Sequence, residues 1–168
     1  MTEKRFLVTY ASQLGSTPEI ASEIGNGLRK AGHAVDVADM KGVISLEAYD
    51  AVIIGVPIYA GPRGLGDIGN FAKKRFSGEL ARMPVAIFAV GLLYEGMKSD
   101  AAYVTANVEK AIAPIVPVST VLFAGTIDPG KLSFWQRFAN ISTIPSADFQ
   151  DWDAIRAWAR GLPGLLNG

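Results

Sequence analysis

The chain has 168 residues, 49% of them hydrophobic, and 16 basic side chains balance 16 acidic ones. A net charge of zero argues against nucleic-acid binding and against a polybasic membrane tether, since both need a basic excess. Cysteine is absent and histidine occurs once, which excludes disulfides, thiolate metal sites, iron–sulfur ligation and histidine-rich metal sites.

At roughly 150 residues per domain, residues 1–168 suggest one domain, large enough to bury a core without staples. Phe6-Leu7-Val8 is too short for a secretory apolar region. No window reaches the ~18 uncharged apolar residues of a membrane helix. A cytoplasmic location is expected.

Short apolar runs alternate with segments of helical period. The runs are Phe6–Tyr10, Val35–Ala38, Ala51–Val56, Val85–Leu93 and Val118–Ala124. Runs without polar alternation read as parallel strands buried on both faces. Ser119 and Thr120 make the last run an expected sheet edge. The first helix shows Ile20, Ile24, Leu28 and Ala31 on one face, with Ser16 and Glu19 spaced as a capping box and Gly32 as its stop. Ile68, Phe71, Ala72 and Phe76 give a second helix, and Val104, Val108, Ala111 and Ile112 a third. Trp152, Ile155, Trp158, Ala159 and Leu162 give the last, opened by Asp151 and closed by Pro163. This alternation predicts an α/β fold: a doubly wound, five-stranded parallel sheet with helices on both faces and right-handed crossovers. Five strands suit the order 2-1-3-4-5 better than a six-stranded dinucleotide fold.

Ligands of such sheets sit outside the carboxyl ends of the strands, at the switch point between strands 1 and 3. That selects the loops Ala11–Thr17, Pro57–Leu65 and Gly91–Lys98. The first holds the hydroxyls of Ser12, Ser16 and Thr17, one glycine and no lysine or arginine, and it runs into a helix N-terminus. Backbone N–H groups and the helix dipole make an anion cradle there. The missing cation suits a permanently bound monophosphate better than a transferring phosphate. The plain alternative is that the hydroxyls only cap the helix.

Tyr10-x-Ser12-x-x-Gly15-x-Thr17-x-x-x-Ala21-x-x-Ile24 resembles the FMN-phosphate signature of the flavodoxins. Thr9 departs from it, standing where an apolar residue is usual. Gly55-Val56-Pro57-Ile58-Tyr59-Ala60-Gly61 resembles the second flavin loop of that family. The tail from Phe149 to Arg160, and Gly125 to Phe138, are similar to a branch that includes the menaquinone-dependent protoporphyrinogen dehydrogenases. The resemblance implies a flavodoxin-like fold with FMN as cofactor. It implies that Ser12, Gln13, Leu14, Gly15, Ser16 and Thr17 hold the phosphate, several through backbone N–H.

In the second loop, Pro57, Ile58, Tyr59, Ala60 and Gly61 follow a buried strand. Tyr59 either stacks on the isoalloxazine ring or packs over the loop. Gly61 allows close backbone approach, and peptide groups there can tune the flavin. In the third loop, Gly91, Leu92, Leu93 and Tyr94 close strand 4. Tyr94 is the candidate for the other ring face, with Leu92 or Leu93 as alternatives. Glu95 either lowers the flavin potential or faces water.

Three features point elsewhere. Gly64-Leu65-Gly66-Asp67-Ile68-Gly69 fits Gly-x-Gly-x-x-Gly, but it does not follow a strand directly and position 89 is alanine rather than acidic. It reads as a flexible loop entering a helix, not an NAD site. His33 reads as a surface histidine after the Gly32 turn. Lys73-Lys74-Arg75, with Arg63 and Arg82, reads as a solvated face, or as a dock for an acidic redox partner. Residues 126–150 form an extra segment whose aromatics predict a short helix near Ser133–Ile141. That segment either covers the core or offers an aromatic surface for quinone, tetrapyrrole or peripheral membrane contact.

The expected function is an FMN-dependent redox protein passing electrons to a partner protein or a small acceptor. One alternative is a quinone-linked enzyme resembling the protoporphyrinogen dehydrogenases, although Asp128, Pro129 and Gly130 stand where that branch is basic. Another is a cofactor-free flavodoxin-like binding module.

Overall fold

All five apolar runs form strands. They are β1 (Arg5–Tyr10), β2 (Ala34–Asp39), β3 (Ala51–Pro57), β4 (Val85–Gly91) and β5 (Ser119–Ala124). The computed structural model describes residues 3–11, 17–57, 62–91, 101–124 and 151–166. The strands make one all-parallel sheet in the order β2-β1-β3-β4-β5. Every residue of β3 and β4 is buried, as expected of central strands covered on both faces. β5 lies at an edge, as Ser119 and Thr120 suggest.

Alternation along the strands divides the core. Phe6, Val8, Ile53 and Phe88 meet α1 (Thr17–Lys30) and the last helix on one face. Leu7, Ile54, Val56 and Ile87 meet α2 (Pro62–Gly69), the turns that continue it and α4 (Ala101–Ile112) on the other. α1 buries Ile20, Ile24 and Leu28 completely. Ala31 falls beyond its end and is exposed, because the helix stops at Lys30. There Gly32 takes φ +95°, the left-handed conformation that favours glycine. Its amide bonds to the Arg29 carbonyl, and the His33 amide to the Leu28 carbonyl, a complete Schellman stop. That turn folds His33 inward. It is 7% exposed, its Nδ1 accepts the Lys4 amide at 3.1 Å, and its ring lies 4.9 Å from Phe6. The expected surface histidine is therefore a core residue.

The second helical segment is not uniform. α2 continues as one wider, π-helical stretch at Asn70–Arg75, then as the short α3 (Ser77–Leu80). The sequence carries the sign of this, because Phe71 and Phe76 are five apart, and the Phe76 amide bonds to the Phe71 carbonyl at 3.1 Å. Gly64, Gly66 and Gly69 lie inside α2, so the expected flexible loop is helix, started by Pro62 in a first-turn position that loses no bond. Arg75 does not belong to a free basic face. Its guanidinium donates to the carbonyls of Met40 (2.9 Å) and Val43 and lies over the rings of Phe71 and Phe76. Lys73 and Lys74 remain exposed.

The last helix, α5 (Trp152–Leu166), runs past Pro163. Pro163 forfeits one backbone bond, but continuing the helix buries Leu166, worth about 1.5–3 kcal/mol. Asp151 opens it as expected, with Oδ1 accepting the Ala154 amide at 3.0 Å. Trp158 donates from Nε1 to Ser119 Oγ at 3.0 Å and meets Phe123 and Phe88 edge-on. The expected helix at Ser133–Ile141, and the segment 126–150 around it, lie outside the described residues.

At the amino end of the sheet, Asp36 accepts hydrogen bonds from Arg5 (2.8 Å) and the Tyr49 hydroxyl (2.7 Å). The Arg5 bond first, then the Tyr49 bond, hold the Asp36 carboxyl below the usual carboxylate range. A depressed folded value gives stability that is full above the unfolded carboxylate value of about 3.9 and is lost as pH falls from there through the lower folded value. Both charged side chains are about half exposed, so the effect is small. The stability gap between wild type and Asp36→Asn, followed by urea midpoints, should shrink as pH drops from neutral to 3.

Candidate functional site

The carboxyl ends of β1, β3 and β4 are neighbours, with Tyr10 beside Gly55 and Pro57 beside Val90. β1 and β3 sit where the winding reverses. From β1 the chain passes through α1 to β2 on one side, while β3 leads to β4 and β5 on the other. Open α/β sheets of this kind bind ligands outside the carboxyl ends of the strands at such a reversal. Ala11 ties the two exits together, its amide donating to the Gly55 carbonyl at 3.0 Å.

Three of the expected site residues are described. Thr17 is the first residue of α1, and Pro57 and Gly91 are the last of β3 and β4. The structure brings these to one edge of the sheet. Ser12, Gln13, Leu14, Gly15, Ser16, Ile58, Tyr59, Ala60, Gly61, Leu92, Leu93 and Tyr94 lie outside the described residues, as does Glu95.

Thr17 is the informative one. It is 1% exposed, and its Oγ1 has no hydrogen-bond partner among the described residues. A buried hydroxyl left unpaired costs about 1–3 kcal/mol. This one sits at the positive end of a helix of 14 residues. It can donate to an anion held at the preceding loop, so the arrangement fits a phosphate group. α1 is held firmly enough for the task. A Cβ on Gly25 would meet Val37 at 2.7 Å, and one on Gly27 would meet Ala159 at 2.9 Å, so the helix lies close against both β2 and α5. Arg156 donates to Glu23 at 2.8 Å across the α1–α5 contact.

Thr9 makes the contrast. Its Oγ1 is also buried without a partner among the described residues, but inside β1, paired with Ala38 and Ile54 on either side. It is 0% exposed and lies within the strand rather than at a helix terminus. Thr9→Val should therefore raise stability by about 1–2 kcal/mol with FMN affinity unchanged, read by urea unfolding and flavin titration.

Sequence reading missed a cavity of about 100 Å³ beside the exit of β1, lined by Ala11, Asp39, Lys41, Asp67, Asn70 and Arg75. Its walls come from β1, the turn after β2 and the α2 region, and no local motif joins them. Among the described residues, no group of three metal-ligating side chains occurs. None of their helices is long and apolar enough to cross a membrane.

The family model of the flavodoxin domain matches residues 7–147. No curated protein matches the chain. Solved structures share its architecture. An NAD(P)H:quinone oxidoreductase from Methanothermobacter marburgensis is 12% identical, with 96% of this chain and 100% of that one covered at a TM-score of 0.58. A flavodoxin, WrbA-like protein from Agrobacterium tumefaciens is 16% identical, with 98% of both chains covered at 0.53. Flavodoxin 2 from Bacillus cereus is 24% identical, with 81% and 95% covered at 0.51. At these identities the likeness shows a shared fold.

Proposed function

Because the chain belongs to the flavodoxin domain family and so binds FMN, we propose that it is an electron carrier, passing electrons between a donor and a partner protein or small acceptor. Residues 1–168 form one domain in this reading. Bound FMN supplies the redox chemistry, so no acid–base cluster is required of the protein. The chain's own part is binding and tuning. Ser12, Gln13, Leu14, Gly15, Ser16 and Thr17 hold the phosphate. Pro57, Ile58, Tyr59, Ala60 and Gly61 border one side of the ring, and Gly91, Leu92, Leu93 and Tyr94 the other.

The single observation that supports this reading is the buried Thr17 hydroxyl at the head of α1, which has no hydrogen-bond partner among the described residues. It also speaks against a cofactor-free module, which would gain stability by replacing it. The test is a visible spectrum of the purified protein, followed by titration of the apoprotein with FMN. Flavin bands shifted from free FMN, with binding in the micromolar range or tighter, are expected. An apoprotein that takes up no FMN at such concentrations removes the reading.

A second reading is a quinone-linked dehydrogenase resembling the protoporphyrinogen dehydrogenases. The similarity of Phe149–Arg160 and of Gly125–Phe138 to that branch favours it. Menaquinone-coupled oxidation of protoporphyrinogen decides between the two. A rate no higher than that of free FMN leaves the electron carrier.

A further inference from the structure

The end of the sheet opposite the cofactor loops carries an open groove of about 390 Å³. Leu80, Met83, Ile112 and Pro114 line it, with Lys73 and Val116 also on its walls. Met83 precedes β4 and Val116 precedes β5, so the groove lies at the amino ends of those strands. The length of β4, seven residues, separates it from the flavin edge by about 20 Å. Val116 is 84% exposed and Val118 41%, a concentration of bare apolar side chains at one place. Ile44 and Leu165 are also exposed but stand singly, whereas Val116 and Val118 adjoin an apolar groove, and such a combination marks an interaction surface.

The charge beside the groove is one-sided. Lys73 lines the groove, and Lys74, Arg82 and Lys110 lie within two residues of lining residues; all four are exposed, and none forms an ion pair among the described residues. The acids in the same segments are Glu79 and Glu109. A chain with no net charge thus has a local basic excess around an apolar trough. We propose that this groove docks an acidic amphipathic helix of a partner protein, its apolar side chains in the trough and its carboxylates on the lysines.

Other occupants fit less well. A small ligand is held by enclosing most of its surface, whereas Ser77, Ala81, Pro114 and Val116 line this groove and are themselves exposed. An anionic membrane is met by a contiguous basic cluster, whereas these four cations are spread over residues 73–110 with Glu79 and Glu109 among them. Docking at the amino ends leaves the cofactor edge uncovered, so the bound partner tethers the protein without blocking electron exchange. The inference goes beyond the proposed function and does not depend on it.

The test titrates the full-length, FMN-loaded protein with a fluorescently labelled amphipathic helical peptide of leucine and glutamate. Micromolar binding that weakens with added salt is expected. Lys73→Glu and Val116→Asp should each reduce affinity at least about tenfold, with the flavin spectrum unchanged. Both side chains are exposed, and Arg82→Glu serves as a third variant should either lower the thermal midpoint. Equal binding by the variants, equal binding of a leucine–lysine peptide, or no binding at millimolar peptide overturns the proposal. So does binding to phosphatidylserine vesicles, or self-association, that Val116→Asp abolishes, because the occupant is then a membrane or a second copy. A missing flavin spectrum would separately count against the cofactor reading.

Discussion

Thr17→Val should weaken FMN binding by about 10- to 100-fold while leaving the apoprotein equally or more stable. The two effects have opposite signs for one physical reason. In the apoprotein, Thr17 Oγ1 is buried without a partner among the described residues, so the hydroxyl is a cost that a methyl group removes. With a phosphate at the preceding loop, the same hydroxyl donates a hydrogen bond to a charged acceptor. Such bonds are worth about 1.5–3 kcal/mol, which is the stated range in affinity. Fluorescence titration of apoprotein with FMN reads the first effect, and urea unfolding without flavin reads the second. Riboflavin lacks the phosphate, so its affinity should hardly change. A variant that loses FMN and riboflavin affinity equally would assign Thr17 to packing. Thr9→Val is the internal control, because its hydroxyl is equally orphaned but lies within the sheet.

What could be read ahead of the structure follows from range. Strand order and helix faces rest on local periodicity, and Ile20, Ile24, Leu28, Ile155 and Ala159 all sit in the core as their spacing demands. The ends of elements were harder, because tertiary burial decides them. Leu166 carries α5 across Pro163, and the turn at Gly32 pulls His33 inside, and neither effect is visible in a window of a few residues. Arg75 looks like one more surface cation until β2 places the carbonyls of Met40 and Val43 beside it. Of the candidate site residues, Thr17, Pro57 and Gly91 stand at the sheet edge that the winding selects. The cavity lined by Asp39, Asp67 and Asn70 was not legible, since its parts meet only through the fold.

Gly55→Ala is expected to cost about 3 kcal/mol, a drop of about 6–12 °C in Tm, although the added group is a single methyl. In the sequence, Gly55 opens a run that resembles a flavin loop, two residues before the first expected cofactor contact at Pro57. In the structure it lies inside β3, directly across from Phe88. A Cβ there would stand 2.3 Å from Phe88 Cζ and 2.6 Å from Cε2, well inside contact distance. The ring cannot swing clear. It is fully buried and Trp158 closes its edge at 6.2 Å between ring centres. The glycine is therefore required by the close approach of an aromatic ring, and the strain must pass into the backbone of β3. Because the Gly55 carbonyl holds the Ala11 amide at the exit of β1, that strain should also lower FMN affinity. Phe88→Ala alone should cost about 3–5 kcal/mol by opening a cavity. In that background the added methyl of Gly55→Ala has room, so the double variant should cost about 1–3 kcal/mol less than the two single losses together. It should also regain FMN affinity relative to Gly55→Ala. Strictly additive losses would show that Gly55 serves the crevice directly rather than through Phe88.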